Sequence, residues 1–175
     1  MNLESKTEIA FVTAGGTIDK SYASGAGVYN FEIDAPAIGR ILMTVNPNFQ
    51  YSVSSVLKMD SLDMKMKHFR IMYDALCQSE YKKIGISMGT DRLVEMARAL
   101  SKIDEKLERL REKTIAIFGA SSPELFKNSD APFNAGVAVG ALHILPPGIY
   151  VCMSGRVYNI WNVRKDPENG KFVEN

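Results

Sequence analysis

The 175-residue chain carries 21 Lys and Arg against 20 Asp and Glu, a formal net charge of +1, and 46% of its residues are hydrophobic. That length suits one domain, and the apolar share excludes disorder along the whole chain. Balanced charge gives no general footing on nucleic acid or an anionic membrane, so neither is expected as a partner.

No run reaches the ~18 apolar residues that a membrane helix needs. The N-terminal MNLESKTEIAFV lacks the basic start, apolar run and cleavage site of a signal peptide. The expected compartment is the cytoplasm. Cys77 and Cys152 are the only cysteines and stand apart in apolar runs, which suits reduced, buried thiols. Two lone histidines, His68 and His143, do not suffice for a protein-built zinc site and read as structural or exposed.

In chain order, Ile9–Thr13 reads as a first buried strand, closed by the turn Ala14-Gly15-Gly16 and followed by a polar, Gly-rich loop from Thr17 to about Asn30. Asp34 is placed to cap a short helix entered through Ala35-Pro36, with Ile38, Ile41 and Leu42 inward. Tyr51–Leu57 is a second strand. Between Met64 and Ser79, Met66, Phe69, Tyr73, Leu76 and Cys77 recur at helical spacing. Lys83–Ser87 is the third strand. Leu93, Met96, Ala97, Leu100 and Ile103 mark a helix with a charged continuation to Glu112. Thr114–Phe118 is the fourth strand. Phe133, Val137, Ala138, Ala141 and Leu142 form another stripe, which Pro146-Pro147-Gly148 stops before a fifth strand, Ile149–Met153. Met59, Met64, Met66 and Met72 read as core packing.

Strands alternating with helices predict an α/β fold, a three-layer α/β/α sandwich around a mainly parallel sheet. Ligands in such sheets bind beyond the carboxyl ends of the strands. That rule selects four loops, Ala14–Asp19, Lys58–Asp63, Met88–Asp91 and Gly119–Pro123, three of them rich in hydroxyls, carboxylates and glycine.

Thr17 follows two glycines after the first strand, and Thr90 follows one after the third. A hydroxyl is a weak nucleophile unless a base or hydrogen-bond network takes its proton. Neither loop holds a histidine, so Tyr22, Asp91 or a distant lysine must serve. Backbone N–H groups at the glycine turns suit a developing oxyanion. A phosphate loop fits less well: the GxxxxGK[ST] pattern is absent, and Gly25-Ala26-Gly27 lacks the third glycine of a dinucleotide fingerprint.

These segments carry a resemblance. Ala14-Gly-Gly-Thr-Ile-Asp19 resembles the first signature, usually TGGTI, of the bacterial-type L-asparaginase/glutaminase family, and Met88-Gly-Thr-Asp91 resembles the second, usually HGTDT. Asp60-Ser-Leu-Asp-Met64 is similar to the segment between them. Gly119-Ala120 with Asn128–Asn134 resembles the GAMxP…SDxPxN stretch, and Met153 through Lys165 resembles the region of the catalytic lysine. Five ordered segments span most of the chain. The continuation Asp19-Lys20-Ser21-Tyr22 resembles short-chain members, which consist of the N-terminal catalytic domain alone. The expected organisation is therefore a single catalytic domain over residues 1–175, without the C-terminal domain of long members.

The resemblance implies hydrolysis of L-asparagine to aspartate and ammonia, without metal or organic cofactor, with L-glutamine as a second candidate substrate. It implies Thr17 as nucleophile, Tyr22 as its hydrogen-bonding partner, and Thr90, Asp91 and Lys165 as the other catalytic set. Ser61 matches a contact to the substrate α-carboxylate, Asp91 one to the α-ammonium, and Gly16 and Gly89 leave room for the substrate. Tyr29 is an alternative to Tyr22, and Asp91 is also placed to cap the following helix. Short members resemble assemblies of like domains, so a homodimer or larger oligomer is expected.

Met88 replaces the usual histidine of the second signature, Arg92 the usual threonine, and Leu62 a glutamine common in long members. Arg92 has three options: pairing with Asp91, competing with the substrate ammonium, or pointing away into solvent. Two further readings stand beside the hydrolase: a non-catalytic amide-binding regulatory module, and an ammonia-supplying subunit of an amidotransferase.

Overall fold

The computed structural model describes residues 8–22 and 31–175. Strands β1 (Ile9–Thr13), β2 (Lys20–Tyr22) and β3 (Phe31–Ile33) precede helix α1 (Ala37–Val45) and strand β4 (Tyr51–Ser55). Helix α2 (Met66–Gln78), β5 (Lys83–Ser87), α3 (Leu93–Leu107), β6 (Thr114–Phe118) and α4 (Ala131–Ile144) follow. The chain continues through β7 (Gly148–Met153), β8 (Arg156–Asn159), β9 (Arg164–Lys165) and β10 (Phe172–Val173).

Alternation along the buried strands decides the layering. Val12, Ile115, Ile117, Val151 and Met153 pack with α2 and α3 on one face, in a core that includes Phe69, Met72, Leu93, Met96 and Leu100. Phe11, Ala116, Phe118 and Cys152 turn to the other face, against Ile38, Ile41 and Leu42 of α1 and Ala135, Ala138 and Leu142 of α4. Two cores around one sheet make the expected three-layer sandwich. The sheet order is β4-β1-β5-β6-β7-β8, parallel throughout except for the antiparallel β7–β8 edge. The exits of β1, β4, β5 and β6 therefore lie at one edge.

Several boundaries and faces differ from expectation. The second strand ends at Ser55, because Val56 and Leu57 turn to donate to the Thr13 carbonyl. The fifth begins one residue earlier, at Gly148. The charged continuation of α3 is helical only to Leu107, short of Glu112: Glu108 takes φ +52°, and the Asp104 carboxylate accepts from the Arg109 and Leu110 N–H groups. Helix α1 starts at Ala37, and its cap is not Asp34, whose carboxylate accepts from the Ala35 N–H; the Ala37 N–H donates to Asp19 Oδ1 at 2.7 Å. Phe133 and Met66 are 62% and 60% exposed rather than in the core.

Cys152 is buried, and burial pushes its thiol up to about 12, whereas Cys77 is half-buried. His68 Nδ1 accepts from the Lys65 N–H at the start of α2, and His143 is exposed against Phe49. No helix among the described residues is long and apolar enough to cross a membrane.

Candidate active site

The site is built from two glycine turns pressed together. Ala14, at the exit of β1, donates to the Ser87 carbonyl at 2.9 Å, drawing the β1 and β5 exits side by side. Gly16 has φ +87° and ψ −172°, backbone that side chains other than glycine's essentially never adopt. A Cβ there would lie 2.2 Å from the Gly89 nitrogen, and one on Gly89 would lie 2.5 Å from Ser61 Oγ. Gly16, Gly89 and Ser61 thus form one contiguous floor.

Thr17 opens a short 3-10 turn, Thr17–Asp19, directly after Gly16, and is half-buried. Thr90 follows Gly89 and is 8% exposed. Its methyl packs near Gly119 at the β6 exit, so three strand ends meet there. Ser61 is 1% exposed, and its hydroxyl has no hydrogen-bond partner among the described residues. A buried hydroxyl normally has one, so this group is free to take a partner that the described residues do not supply.

Lys165 comes from β9, 75 positions beyond Thr90. Its Nζ donates to Thr90 Oγ1 at 2.9 Å and to Asp91 Oδ1 at 2.5 Å. Arg98 of α3 fixes the approach, donating through Nε and Nη2 to the Ile160 and Val163 carbonyls, both at 2.8 Å. Pairing of Lys165 with Phe172 on β10, and donation from the Tyr158 hydroxyl to the Phe172 carbonyl, complete the support. Asp91 is spent on Lys165 and does not cap α3, whose N-cap position is Arg92.

Arg92 turns away from Asp91, but into packing rather than into solvent. It pairs with Glu95, donates to the Met64 carbonyl and lies over the Phe69 ring, 5.3 Å from its centroid, so it leaves Asp91 to Lys165. Met88 is wholly buried in the α2/α3 core, and Leu62 is 68% exposed.

No hydrogen bond joins the Tyr22 and Thr17 hydroxyls among the described residues; Tyr22 is 56% exposed and packs on Phe31 and Phe126, with ring centroids 4.5 and 6.2 Å away. Tyr29 lies outside the described residues.

Other contributors carry no signal in the motifs themselves. Lys20 Nζ donates to Asp60 Oδ2 at 2.8 Å, tying the Thr17 hairpin to the Ser61 turn, and this bond holds the Asp60 carboxyl below its ordinary range. Buried Asn134 donates to the Gly119 carbonyl and accepts from Ser154, while Asp130 accepts from Ser121 and Ser122, which shapes the β6 exit. Asn134 and Asp130 sit in the segment similar to SDxPxN, where spacing alone assigns them no role.

An asparaginase N-terminal family model matches residues 8–169. Among curated proteins, no sequence match was found. Solved structures of the same fold include the thermostable L-asparaginase from Thermococcus kodakarensis, at 22% identity and TM-score 0.81, covering 96% of this chain and 51% of that one. Others are a probable cytoplasmic L-asparaginase from Campylobacter jejuni (21%, 0.72, 91% and 50%) and L-asparaginase I from Vibrio cholerae O1 biovar eltor (18%, 0.76, 97% and 52%). The chain spans about half the length of these structures. With the model matched over nearly all its residues, the chain belongs to the asparaginase family, by that family's N-terminal domain.

Proposed function

We propose that this chain hydrolyses the side-chain amide of L-asparagine to aspartate and ammonia, with Thr17 as nucleophile. The observation that carries the reading is the convergence of Lys165 on Thr90 and Asp91, beside the glycine floor from which Thr17 rises. A lysine brought across 75 positions to a buried threonine hydroxyl serves chemistry better than it serves stability, because partly exposed ion pairs contribute only about 0–1 kcal/mol.

In this reading Thr17 Oγ attacks the amide carbon and the carbonyl oxygen becomes an oxyanion, met by backbone N–H groups of the glycine turns. Thr90 Oγ1 accepts from Lys165, so its own proton is free to pass to the departing nitrogen. The C–N bond breaks, ammonia leaves, and water cleaves the resulting ester to release aspartate and restore Thr17. Thr90 takes in exchange the proton that Thr17 gives up on attack, and Lys165 holds the Thr90 oxygen throughout, so no group ends the cycle short of a proton. Ser61 donates to the substrate α-carboxylate, and the second oxygen of Asp91 takes the α-ammonium. Neither metal nor organic cofactor enters these steps.

L-Glutamine differs by one methylene, which a pocket discriminates by only about 1–3 kcal/mol, so weaker glutaminase activity accompanies this reading. The test is ammonia release from both amides. Thr17→Ala should lose at least ~100-fold, and a fully active variant overturns the nucleophile assignment. The outward stack of Tyr22 favours a second reading, a module that binds the amino acid without turnover. Thermal stabilisation by asparagine with no ammonia release selects it. We further expect the protein to work as a homodimer or larger assembly.

A further inference from the structure

Two residues beyond Thr17 stands a carboxylate with no part in the steps above. Asp19 is 1% exposed, and a buried carboxylate is costly unless specific donors hold it. Its donors define its place. The Ala37 N–H, among the unsatisfied donors at the start of the nine-residue α1, reaches Oδ1 at 2.7 Å. The backbone of Asp19 is bonded as well: its carbonyl accepts from the Asp34 N–H at 2.8 Å, and its N–H donates to the Gly16 carbonyl at 3.1 Å. Thr17 and Ile18 lie between these two anchors, and the Ile18 carbonyl accepts from the Glu124 N–H at 3.1 Å.

An ordinary N-cap stands at the residue just ahead of its helix. Here the acceptor comes from 18 positions upstream, out of the turn that begins with Thr17. The charged groups facing it are Arg40 of α1, Glu124 of the β6–α4 connection and Asp34. Arg40 holds Glu124 at 2.7 Å and donates to the Ala35 carbonyl. Burial pushes the Asp19 carboxyl up to about 6, while the Ala37 N–H and Arg40 pull it down. The residue therefore occupies a costly position although a shorter polar cap at Pro36 or an outward turn would spare it.

We propose that Asp19 is a positioning residue, which aims the Thr17 hydroxyl by anchoring the nucleophile turn to the N-terminus of α1. The proposal rests on Thr17 as nucleophile. It deepens that reading, since the work is done by the Asp19 acceptor oxygen against the N–H at the start of α1 and not by contact with substrate. The acceptor, not the charge, is what the geometry requires.

The experiment compares Asp19→Ala, Asp19→Asn and Asp19→Glu with the parent protein and Thr17→Ala. The readouts are kcat and KM for L-asparagine, taken well below each melting midpoint. Asp19→Ala should lower kcat at least ~10-fold and move KM less than ~3-fold. Asp19→Asn keeps an acceptor oxygen and should stay within ~3-fold of the parent. Asp19→Glu keeps both acceptor and charge but lengthens the tie by a methylene, so its kcat should also fall; it reports on the anchor even where Asp19→Ala fails to fold. A simple cap would lower stability in these variants and leave kcat per folded molecule unchanged. Full kcat in Asp19→Ala or Asp19→Glu, with Thr17→Ala inactive, overturns the positioning role alone. Asp19→Asn as impaired as Asp19→Ala also overturns it. Full activity in Thr17→Ala overturns the nucleophile and this proposal together.

Discussion

Gly16→Ala tests the floor of the site directly. The added Cβ would stand 2.2 Å from the Gly89 nitrogen, 2.3 Å from its Cα and 3.0 Å from the Met88 carbonyl carbon, all backbone atoms that no rotamer can move aside. Ordinary contact begins near 3.4 Å, so the β1 and β5 exits must part by more than about 1 Å. Backbone at φ +87° adds roughly 1–3 kcal/mol for any side chain, and overpacking a similar amount. A loss of about 2–6 kcal/mol corresponds, in a domain of this size, to a melting midpoint lower by roughly 5–20 °C. Displacing Thr17 from Thr90 by this distance should cost about 100-fold in ammonia release. Gly136→Ala is the control: its Cβ meets nothing within 4 Å on helix α4, so it should gain about 0.5–1 kcal/mol and leave activity alone. A Gly16→Ala protein with the parent's midpoint and kcat would refute the reasoning from the floor.

Lys165→Met should lower kcat by about 100–1000-fold while moving the midpoint by no more than a few degrees, since the ammonium is partly exposed; Lys165→Arg, with a broader and differently placed cation, should not restore the rate, and a variant at full rate removes Lys165 from the chemistry. Ser61→Ala removes a buried hydroxyl that has no partner among the described residues, so the midpoint should hold or rise while KM for L-asparagine increases about 10-fold; an unchanged KM removes Ser61 from the substrate contacts. The raised Asp19 carboxyl makes a pH prediction: the folded protein, with this group at about 6, keeps its proton between pH 4 and 6 where the unfolded chain, near 3.8, has lost it. Stability from this group is therefore present below pH 4 and falls as pH rises to 6, by about 3 kcal/mol in all, and Asp19→Asn should melt higher than the parent at pH 7 with the difference closing toward pH 4. Parallel melting curves from pH 4 to 7 would contradict it.

The layers were legible because the central strands are short, wholly buried and bounded by turns. Strands β1, β5 and β6 match their sequence bounds residue for residue. Helix faces were legible only where polar residues mark the outside. Helix α4 is apolar nearly all round, so spacing alone could not say that Phe133 faces out. Strands β8, β9 and β10, two to four residues long, carry no period to read. The choice between Asp34 and Asp19 as the cap of α1 is tertiary, because only the folded turn brings Asp19 to Ala37. Residues of the glycine turns were legible from local sequence and the carboxyl-end rule. Lys165 was legible only through the resemblance, since nothing around it distinguishes it from a surface lysine.

Helix α3 explains why Lys165 arrives where it does. Its first turn begins two residues after Asp91, so it fixes the exit on which Thr90 and Asp91 stand. Within two turns the same helix presents Arg98, whose guanidinium holds the Ile160 and Val163 carbonyls and lies 5.9 Å from the Trp161 ring centroid; the Lys102 ammonium lies 5.9 Å from the same centroid. Both ends of the Lys165–Thr90 contact are thus referred to one rigid element, and the 75-residue separation in sequence shrinks to two turns of helix. That economy explains why a two-residue strand, too short to be stable by itself, can deliver an ammonium group to hydrogen-bond distance of a buried hydroxyl. It also separates roles within the site: α3 sets the Thr90, Asp91 and Lys165 group, whereas α1, through Asp19, sets the turn of Thr17 from the opposite face of the sheet. The two threonines are held by different layers of the sandwich, and the Gly16–Gly89 contact is where those layers are brought into register.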